Sequence, residues 1–351
     1  MSDTSFSAQL LAWFDCFGRK NLPWQHPRSA YRVWISEIML QQTQVKTVIP
    51  YFTRFIETFP DVMHLANASE DAVLALWSGL GYYSRARNLI KTAAILCDKY
   101  QGQFPVMLSQ LVELPGIGPS TAAAIASQAF NQPTPILDAN VKRVLCRHFA
   151  IGGYPERAEV KQRLWQLAKE CMPENRCADY TQAIMDLGAT CCTPRAPACS
   201  RCPLEKSCLA RQTNSVFAYP EKKEKKILPL RAQHFLLIHN SANQIYLEKR
   251  PPQGIWASLW CTPTVELEHN PIKHLQANYP FTLVQADELM QIKHTFSHFH
   301  LKIHVLLIQV QVKNNCITEP CGKWFHVDEI ARLGIARPIS DMIQRFTSQR
   351  D

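Results

Sequence analysis

Up to about residue 220, apolar side chains recur at the three- and four-residue spacing of a helix face. Leu10, Trp13, Phe14 and Phe17 form one such set and Val73, Leu76 and Trp77 another, with Pro and Gly pairs breaking the runs. That spacing predicts a nearly all-helical half. Further on the pattern changes to short apolar runs, Phe235-Leu236-Leu237-Ile238, Ile245-Tyr246-Leu247 and Leu301 to Val312, with Asn240-Ser241-Ala242-Asn243 as a hairpin turn between the first two. These predict a mixed domain built on antiparallel strands, closed by two short helices near Asp328 to Arg332 and Ile339 to Phe346. Between the halves, Glu221 to Leu230 is charged, poor in apolar residues and bounded by Pro220, the composition of a linker. The organisation expected is a helical domain over 1–220, a linker over 221–230 and a mixed α/β domain over 231–351.

Composition narrows the class. A chain of 351 residues has room for two cores, and 46% hydrophobic content with 10% aromatic residues is that of a folded protein. Met1 to Leu10 contains Asp3 and no apolar signal-peptide core, and no stretch approaches the roughly 20 apolar residues of a membrane span. A cytoplasmic protein without membrane contact is expected. Thirteen cysteines, an odd count without a secretory signal, point to metal or cluster ligation rather than a disulfide framework. A net charge of +9 suits a polyanionic partner.

Four features carry chemistry. Cys192, Cys199, Cys202 and Cys208 stand at C-x6-C-x2-C-x5-C, a thiolate set suited to a [4Fe-4S] cluster. Zinc is the competing metal, although zinc modules pair short knuckles and only Cys199 and Cys202 form one; Cys191 offers a second register for the first ligand. Leu114-Pro115-Gly116-Ile117-Gly118 reads as a tight turn between a helix ending at Leu108, Leu111 and Val112 and a second over Ser120 to Phe130. Gly116 and Gly118 let the backbone approach a phosphate and the second helix presents its free amides; an ordinary helix–turn–helix connection is the alternative. Asp138 precedes a helix running to about His148 and reads as its N-cap. Glu37 lies among Trp34, Ile35, Ile38, Met39 and Leu40, where a desolvated carboxyl would hold its proton near neutral pH, unless it faces solvent. In the second half, His298, His300 and His304 would share a strand face, either as metal ligands or as part of a half-buried polar face.

The spacing of twenty residues from Gly118 to Asp138 resembles the helix-hairpin-helix, Gly/Pro, Asp superfamily of base-excision glycosylases. Leu22-Pro23-Trp24, Glu37, Met39 to Val45, Gly79-Leu80-Gly81-Tyr82-Tyr83-Ser84-Arg85-Ala86-Arg87 and Met185 to Ala189 resemble the MutY-type adenine DNA glycosylases over nearly the whole chain. The resemblance implies that Glu37 protonates adenine, that Asp138 stabilises or captures the sugar cation and that Asn140 supports it. It places Gln42 and Tyr82 in the DNA stack, Gln41, Arg85, Arg87 and the hairpin glycines at the DNA, and Leu22, Trp24 and Ser120 at the base pocket. It selects Cys192 as the first cluster ligand, and assigns Phe296, Ser297 and His298 to 8-oxoguanine in the opposite strand.

Two departures refine this reading. Bifunctional relatives of the endonuclease III type carry a lysine nucleophile where this chain has Ser120, so water is the expected final nucleophile, with Lys142 left as an adventitious amine. Gly254 to Pro263 resembles a Nudix-fold domain, but no carboxylate-rich helix follows, and Glu266 and Glu268 cannot replace it. The expectation is therefore a monomeric, monofunctional glycosylase acting on double-stranded DNA with adenine opposite 8-oxoguanine or guanine, cytoplasmic and nucleoid-associated when bound. A bifunctional glycosylase/lyase and a cluster-containing DNA-binding redox sensor are the rivals.

Overall fold

The computed structural model describes residues 5–223, 227–312 and 322–348; residues 224–226 of the expected linker lie outside these. Two compact units emerge, one of Met1–Asn67 with Asn88–Glu224 and one of Ala68–Arg87 with Lys225–Asp351. The segment Ala68–Arg87, expected with the helical domain, is thus grouped with the C-terminal residues.

The first unit is helical, as the periodicity predicts. Ser29 starts the helix Ala30–Leu40 by accepting from Arg32 N, and Asp138 starts Ala139–His148 by accepting from Val141 N, each satisfying an amide that the helix leaves unpaired. Ala30–Leu40 buries Val33, Trp34, Ile35, Ile38 and Met39 and packs on the helix Pro119–Phe130. The second helix buries Ala122, Ala123, Ala124 and Ala126, small side chains that let the two backbones come close. Below them Leu10, Phe14, Val141, Leu145, Ile184 and Leu187 share one core, each large side chain contributing on the order of 1.5–3 kcal/mol. After the helix Cys177–Asp186 the backbone widens into a π-helical turn, Leu187–Cys191, that leads into the cysteine loop.

The described C-terminal residues form a seven-stranded sheet from β1 (Leu230–His239), β2 (Gln244–Lys249), β3 (Trp260–Cys261), β4 (Thr264–Glu266), β5 (Phe281–Thr295), β6 (His300–Val312) and β7 (Gly322–His326). The main order is β3-β2-β1-β6-β5, with β4 on β1 and β7 on β2. The hairpin at 240–243 is present: Asn240 Oδ1 accepts from Ala242 N and Gln244 N, both at 3.0 Å. Among the described residues the strand pairings are antiparallel, as expected, except that β1 and β6 run parallel over the whole of β1. Local apolar runs carry no information about which distant strand pairs with which. The helices Val327–Ile330 and Arg337–Ser348 close the unit where the pattern placed them.

Candidate active site and nucleic-acid interface

Glu37 and Asp138 are brought together in the helical unit. Glu37 is only partly open to solvent, and dense protein around its carboxyl, then the charge of Asp138, push its pKa up to about 7. Gln128, buried on Pro119–Phe130, points its Nε2 at Glu37 Oε1 at 3.4 Å and opposes that rise. Asp138 keeps its capping role, accepting from Val141 N at 2.7 Å through Oδ1 and from Asn140 Nδ2 at 3.1 Å through Oδ2. Burial still outweighs these bonds and holds its pKa above the ordinary aspartate value. Cap and reacting carboxylate are compatible, since the cap fixes where the second oxygen points.

Asn140 is itself held. Its Oδ1 accepts from Arg143 Nη2 at 2.8 Å, and Arg143 also donates to the carbonyls of Gly188 and Cys192, both at 2.7 Å. Gly188 has to be glycine, because a Cβ there would sit 2.6 Å from Asn140 Cβ. Ser120 Oγ accepts from Leu137 N at 3.2 Å and so anchors the residue before Asp138. The Lys142 amine is paired with Glu156.

A second buried network was not anticipated. Asp186, fully buried, accepts from Arg19 N at 2.7 Å, Arg19 Nε at 2.9 Å, Arg19 Nη2 at 2.6 Å and Gln182 Nε2 at 2.7 Å. Gln25 extends it, donating to Arg19 O and accepting from Leu22 N, both at 2.9 Å. Leu22 and Trp24 are buried on the same turn, Trp24 edge-on to Phe52. The only signal available in sequence was the Met185–Ala189 run, which carried no assigned role.

The expected DNA-facing residues divide. Gln42 is exposed with φ +60°, and Tyr82 is 48% exposed with φ +49°, directly after Gly81, which like Gly79 has a positive φ. Both side chains project from backbone that non-glycine residues seldom adopt. Gln41 is half-buried, with Nε2 3.5 Å from Thr121 Oγ1. Gly116 has φ +79°, and a Cβ there would lie 2.8 Å from Asn88 Cβ; Gly118, the N-cap of Pro119–Phe130, faces open space. Arg85 is a correction. It is 7% exposed, stacks on Trp77 and Tyr82 and donates to the carbonyls of Leu80 and Gly81 at 3.2 Å, so it braces the Tyr82 turn and does not reach for a phosphate. Arg87 donates to Ala257 O at 2.8 Å.

Phe296–Phe299 forms the turn between β5 and β6, closed by Phe296 N to Phe299 O at 2.9 Å. Phe296 is the anchor, stacked on Phe299 and packed against His294 and Trp256. Ser297 and His298 are exposed at the tip, Ser297 Oγ 3.2 Å from His298 Nδ1. His298 therefore lies outside β6 and does not share a strand face with His300 and His304.

Cys191, Cys192, Cys199, Cys202 and Cys208 all line one cavity. Arg147 Nη1 donates toward Cys192 Sγ at 3.4 Å, while Cys191 Sγ lies 3.4 Å from Ala198 O and is also hydrogen-bonded to the Cys202 thiol. Among the described residues no three His, Cys, Asp or Glu side chains are close enough for a single metal ion. Thiols gathered on one cavity are the kind of donor set that a [4Fe-4S] cluster takes. Arg195, Arg201 and Lys206 are exposed on the same loop.

Residues 35–170 match the HhH-GPD superfamily base excision DNA repair protein family, and residues 234–345 match the NUDIX domain. An adenine DNA glycosylase of Buchnera aphidicola (subsp. Schizaphis graminum) is 40% identical over 342 residues, covering 97% of this chain and 98% of its own. The chain belongs to the adenine DNA glycosylase family. The human adenine DNA glycosylase is 34% identical over 411 residues, covering 99% of this glycosylase and 75% of its own length. Among solved structures, a thermostable thymine-DNA glycosylase superposes with a TM-score of 0.55 at 28% identity, covering 59% of this chain and 95% of that one. The superfamily match contains Glu37, the hairpin and Asp138 of the glycosylase. The NUDIX match contains the Phe296–His298 turn, with Pro271–Asn278 as a helix that carries no carboxylate.

Proposed function

We propose that this glycosylase is monofunctional and removes adenine paired with 8-oxoguanine or with guanine in double-stranded DNA, leaving an abasic site. The observation that carries the reading is the carboxyl pair: Glu37 able to hold a proton near pH 7, with Asp138 bonded in place beside it. Adenine must leave the stack, at a cost of a few kcal/mol that is least at a mispair. Glu37 transfers its proton to a ring nitrogen of adenine, and the C1′–N9 electron pair departs with a neutral base. Asp138 opposes the positive charge that develops at C1′, in a site shielded from water. Water then adds to C1′ and gives up a proton to the Glu37 carboxylate, which restores the acid.

No lysine stands at Ser120, and the Lys142 amine is engaged by Glu156, which supports a glycosylase without lyase chemistry. Ser297 and His298 would read 8-oxoguanine, which has a carbonyl at C8 and a donor at N7 where guanine has an acceptor. Cys192, Cys199, Cys202 and Cys208 would hold a [4Fe-4S] cluster, which supplies a rigid crosslink to the loop that bears Arg195, Arg201 and Lys206. The enzyme would act as a monomer in the cytoplasm, at the nucleoid; among the described residues no helix is long and apolar enough to cross a membrane.

Incubating the protein with a duplex bearing adenine opposite 8-oxoguanine, with and without alkali, tests the reading. Free adenine with strand breakage only after alkali is the expected result. Breakage without alkali would make the enzyme a lyase, and DNA binding without adenine release would favour the redox sensor.

A further inference from the structure

A cleft of about 940 Å³ separates the Tyr82 turn from the Ser297–His298 tip. Its two walls come from distant parts of the sequence, residues 79–84 with Arg87 on one side and Trp256, 292–299 and Arg337 on the other. Both belong to the same compact unit. One backbone carbonyl, that of Ile335, takes two of the bonds that join them. Ser78 Oγ donates to Ile335 O at 2.9 Å and the Tyr83 hydroxyl donates to the same oxygen at 3.0 Å, so both of its lone pairs are used. The Tyr83 hydroxyl in turn accepts from Gly79 N at 3.5 Å, which links the start of the Tyr82 turn to Ile335.

The anchor is itself immobilised. Trp260 N donates to Gly334 O at 2.9 Å and Trp260 forms a parallel bridge with Ile335. A Cβ on Gly334 would lie 2.6 Å from Leu74 Cβ, so Gly334 lets the two segments close up. Ile335 is 6% exposed and Tyr83 9%, which leaves little room for water to replace the lost bonds. Arg87 to Ala257 O at 2.8 Å and Lys249 to Asp71 at 2.7 Å tie the segments at two further points.

Tyr82 needs such a frame. Its left-handed backbone directly follows Gly81, which like Gly79 has a positive φ, and a turn of this kind relaxes readily unless its surroundings determine it. We propose that Tyr83 and Ser78 are positioning residues which, through the Ile335 carbonyl, hold Tyr82 at a set span from the Ser297–His298 tip. Wedge and reader then meet the strand opposite the adenine as one preset jaw. This rests on the reading of Ser297 and His298 as contacts to 8-oxoguanine.

The test uses the full chain and duplexes carrying an uncleavable adenine analogue opposite 8-oxoguanine or guanine. A 2-aminopurine beside the mispair reports entry of the Tyr82 ring by fluorescence. Tyr83→Phe removes one hydroxyl with little change of shape, and Tyr83→Phe/Ser78→Ala removes both donors. Preorganisation lost with one net hydrogen bond is worth about fivefold, so Tyr83→Phe should narrow the ratio of the two affinities by about that factor, the double variant by more, and both should alter the 2-aminopurine signal. A merely structural role would weaken both duplexes equally and leave the ratio and the signal alone; that result overturns the proposal. Ser297→Ala/His298→Ala is run alongside. A reduced ratio there with no change in the Tyr83 variants defeats the positioning role and leaves the lesion reading standing. An unchanged ratio there defeats the lesion reading, and the positioning role with it. If the double variant melts much lower than wild type, Tyr83→Phe alone decides.

Discussion

Replacing Glu37 by glutamine should make the protein inactive and, above neutral pH, more stable. A glutamate in water loses its proton near pH 4.5, and Glu37 loses it near 7. A carboxyl whose pKa is raised on folding costs nothing while both states are protonated. The cost grows as pH rises from the unfolded value to the folded one and is complete above it. At about 1.4 kcal/mol per pH unit across that window, ionised Glu37 costs the fold about 3 kcal/mol at pH 8 and under about 1 kcal/mol at pH 5. Glutamine keeps the shape, still accepts from Gln128 and neither ionises nor repels Asp138. For a helical unit of this size the gain at pH 8 corresponds to a rise in melting temperature of roughly 6–12 °C.

The assay compares wild type and Glu37→Gln melting midpoints side by side at pH 5 and pH 8, together with single-turnover adenine release. The gap between the two proteins should open with pH. Wild-type excision should fall about tenfold per pH unit above 7 as the acid is lost. A gap that is the same at both pH values, or a variant less stable than wild type at pH 8, would show that Glu37 is not held in its neutral form. Appreciable adenine release by the variant would remove it from the acid role.

Asp138→Asn should keep the helix cap, since asparagine caps as well as aspartate, yet lose most excision; its residual rate should fall at lower pH than wild type, because Glu37 loses a charge that raises its pKa, and an unshifted pH profile would contradict the coupling. Gly188→Ala drives a Cβ to within 2.6 Å of Asn140, so excision should drop sharply with a stability loss of about 1–3 kcal/mol, read by single-turnover rates and melting. Cys199→Ala or Cys202→Ala should lose iron and weaken DNA binding, because the loop bearing Arg195, Arg201 and Lys206 loses its frame, whereas Cys191→Ala should retain iron; an iron assay that reversed the last outcome would move the first ligand to Cys191.

What could be read in the sequence was local. Glu37 stood out because apolar residues flank it at helical spacing, and Asp138 because the helix after it needed a cap. The hairpin announced itself through glycines, and Gly116 has the positive φ that explains one of them. Features assembled from distant segments could not be read. The Arg19–Asp186 pair spans 167 residues, and the Met185–Ala189 run that holds Asp186 gives no hint of Arg19 as its partner. The parallel pairing of β1 with β6 depends on a crossover that periodicity does not encode, and β5 escaped notice because most of its residues are exposed and show no apolar alternation. Arg85 pointed the wrong way for a similar reason: the rings of Trp77 and Tyr82 and two carbonyls that draw it inward exist as a site only once the turn has closed.

The places where the chain gives up stability are informative in themselves. Asn131 and Asn243 also have positive φ, but asparagine tolerates that conformation at helix ends and hairpins. Gln42, Tyr82 and Trp256 do so as long or bulky residues, as do Gln101 and Arg176 away from the site, at a cost of order 1–3 kcal/mol each, and glycine would relieve it at every one. Glycine would also remove the side chain. Gln42 and Tyr82 are the residues expected to enter the DNA stack, and Trp256 packs on Phe296, which anchors the Ser297–His298 tip. Glu37 and Asp138 follow the same logic, two carboxyls kept close at raised pKa where two amides would fold more comfortably. A fold selected for stability alone would have little reason to retain any of the five. Their retention is accounted for if the side chains are needed at the DNA and the reacting base.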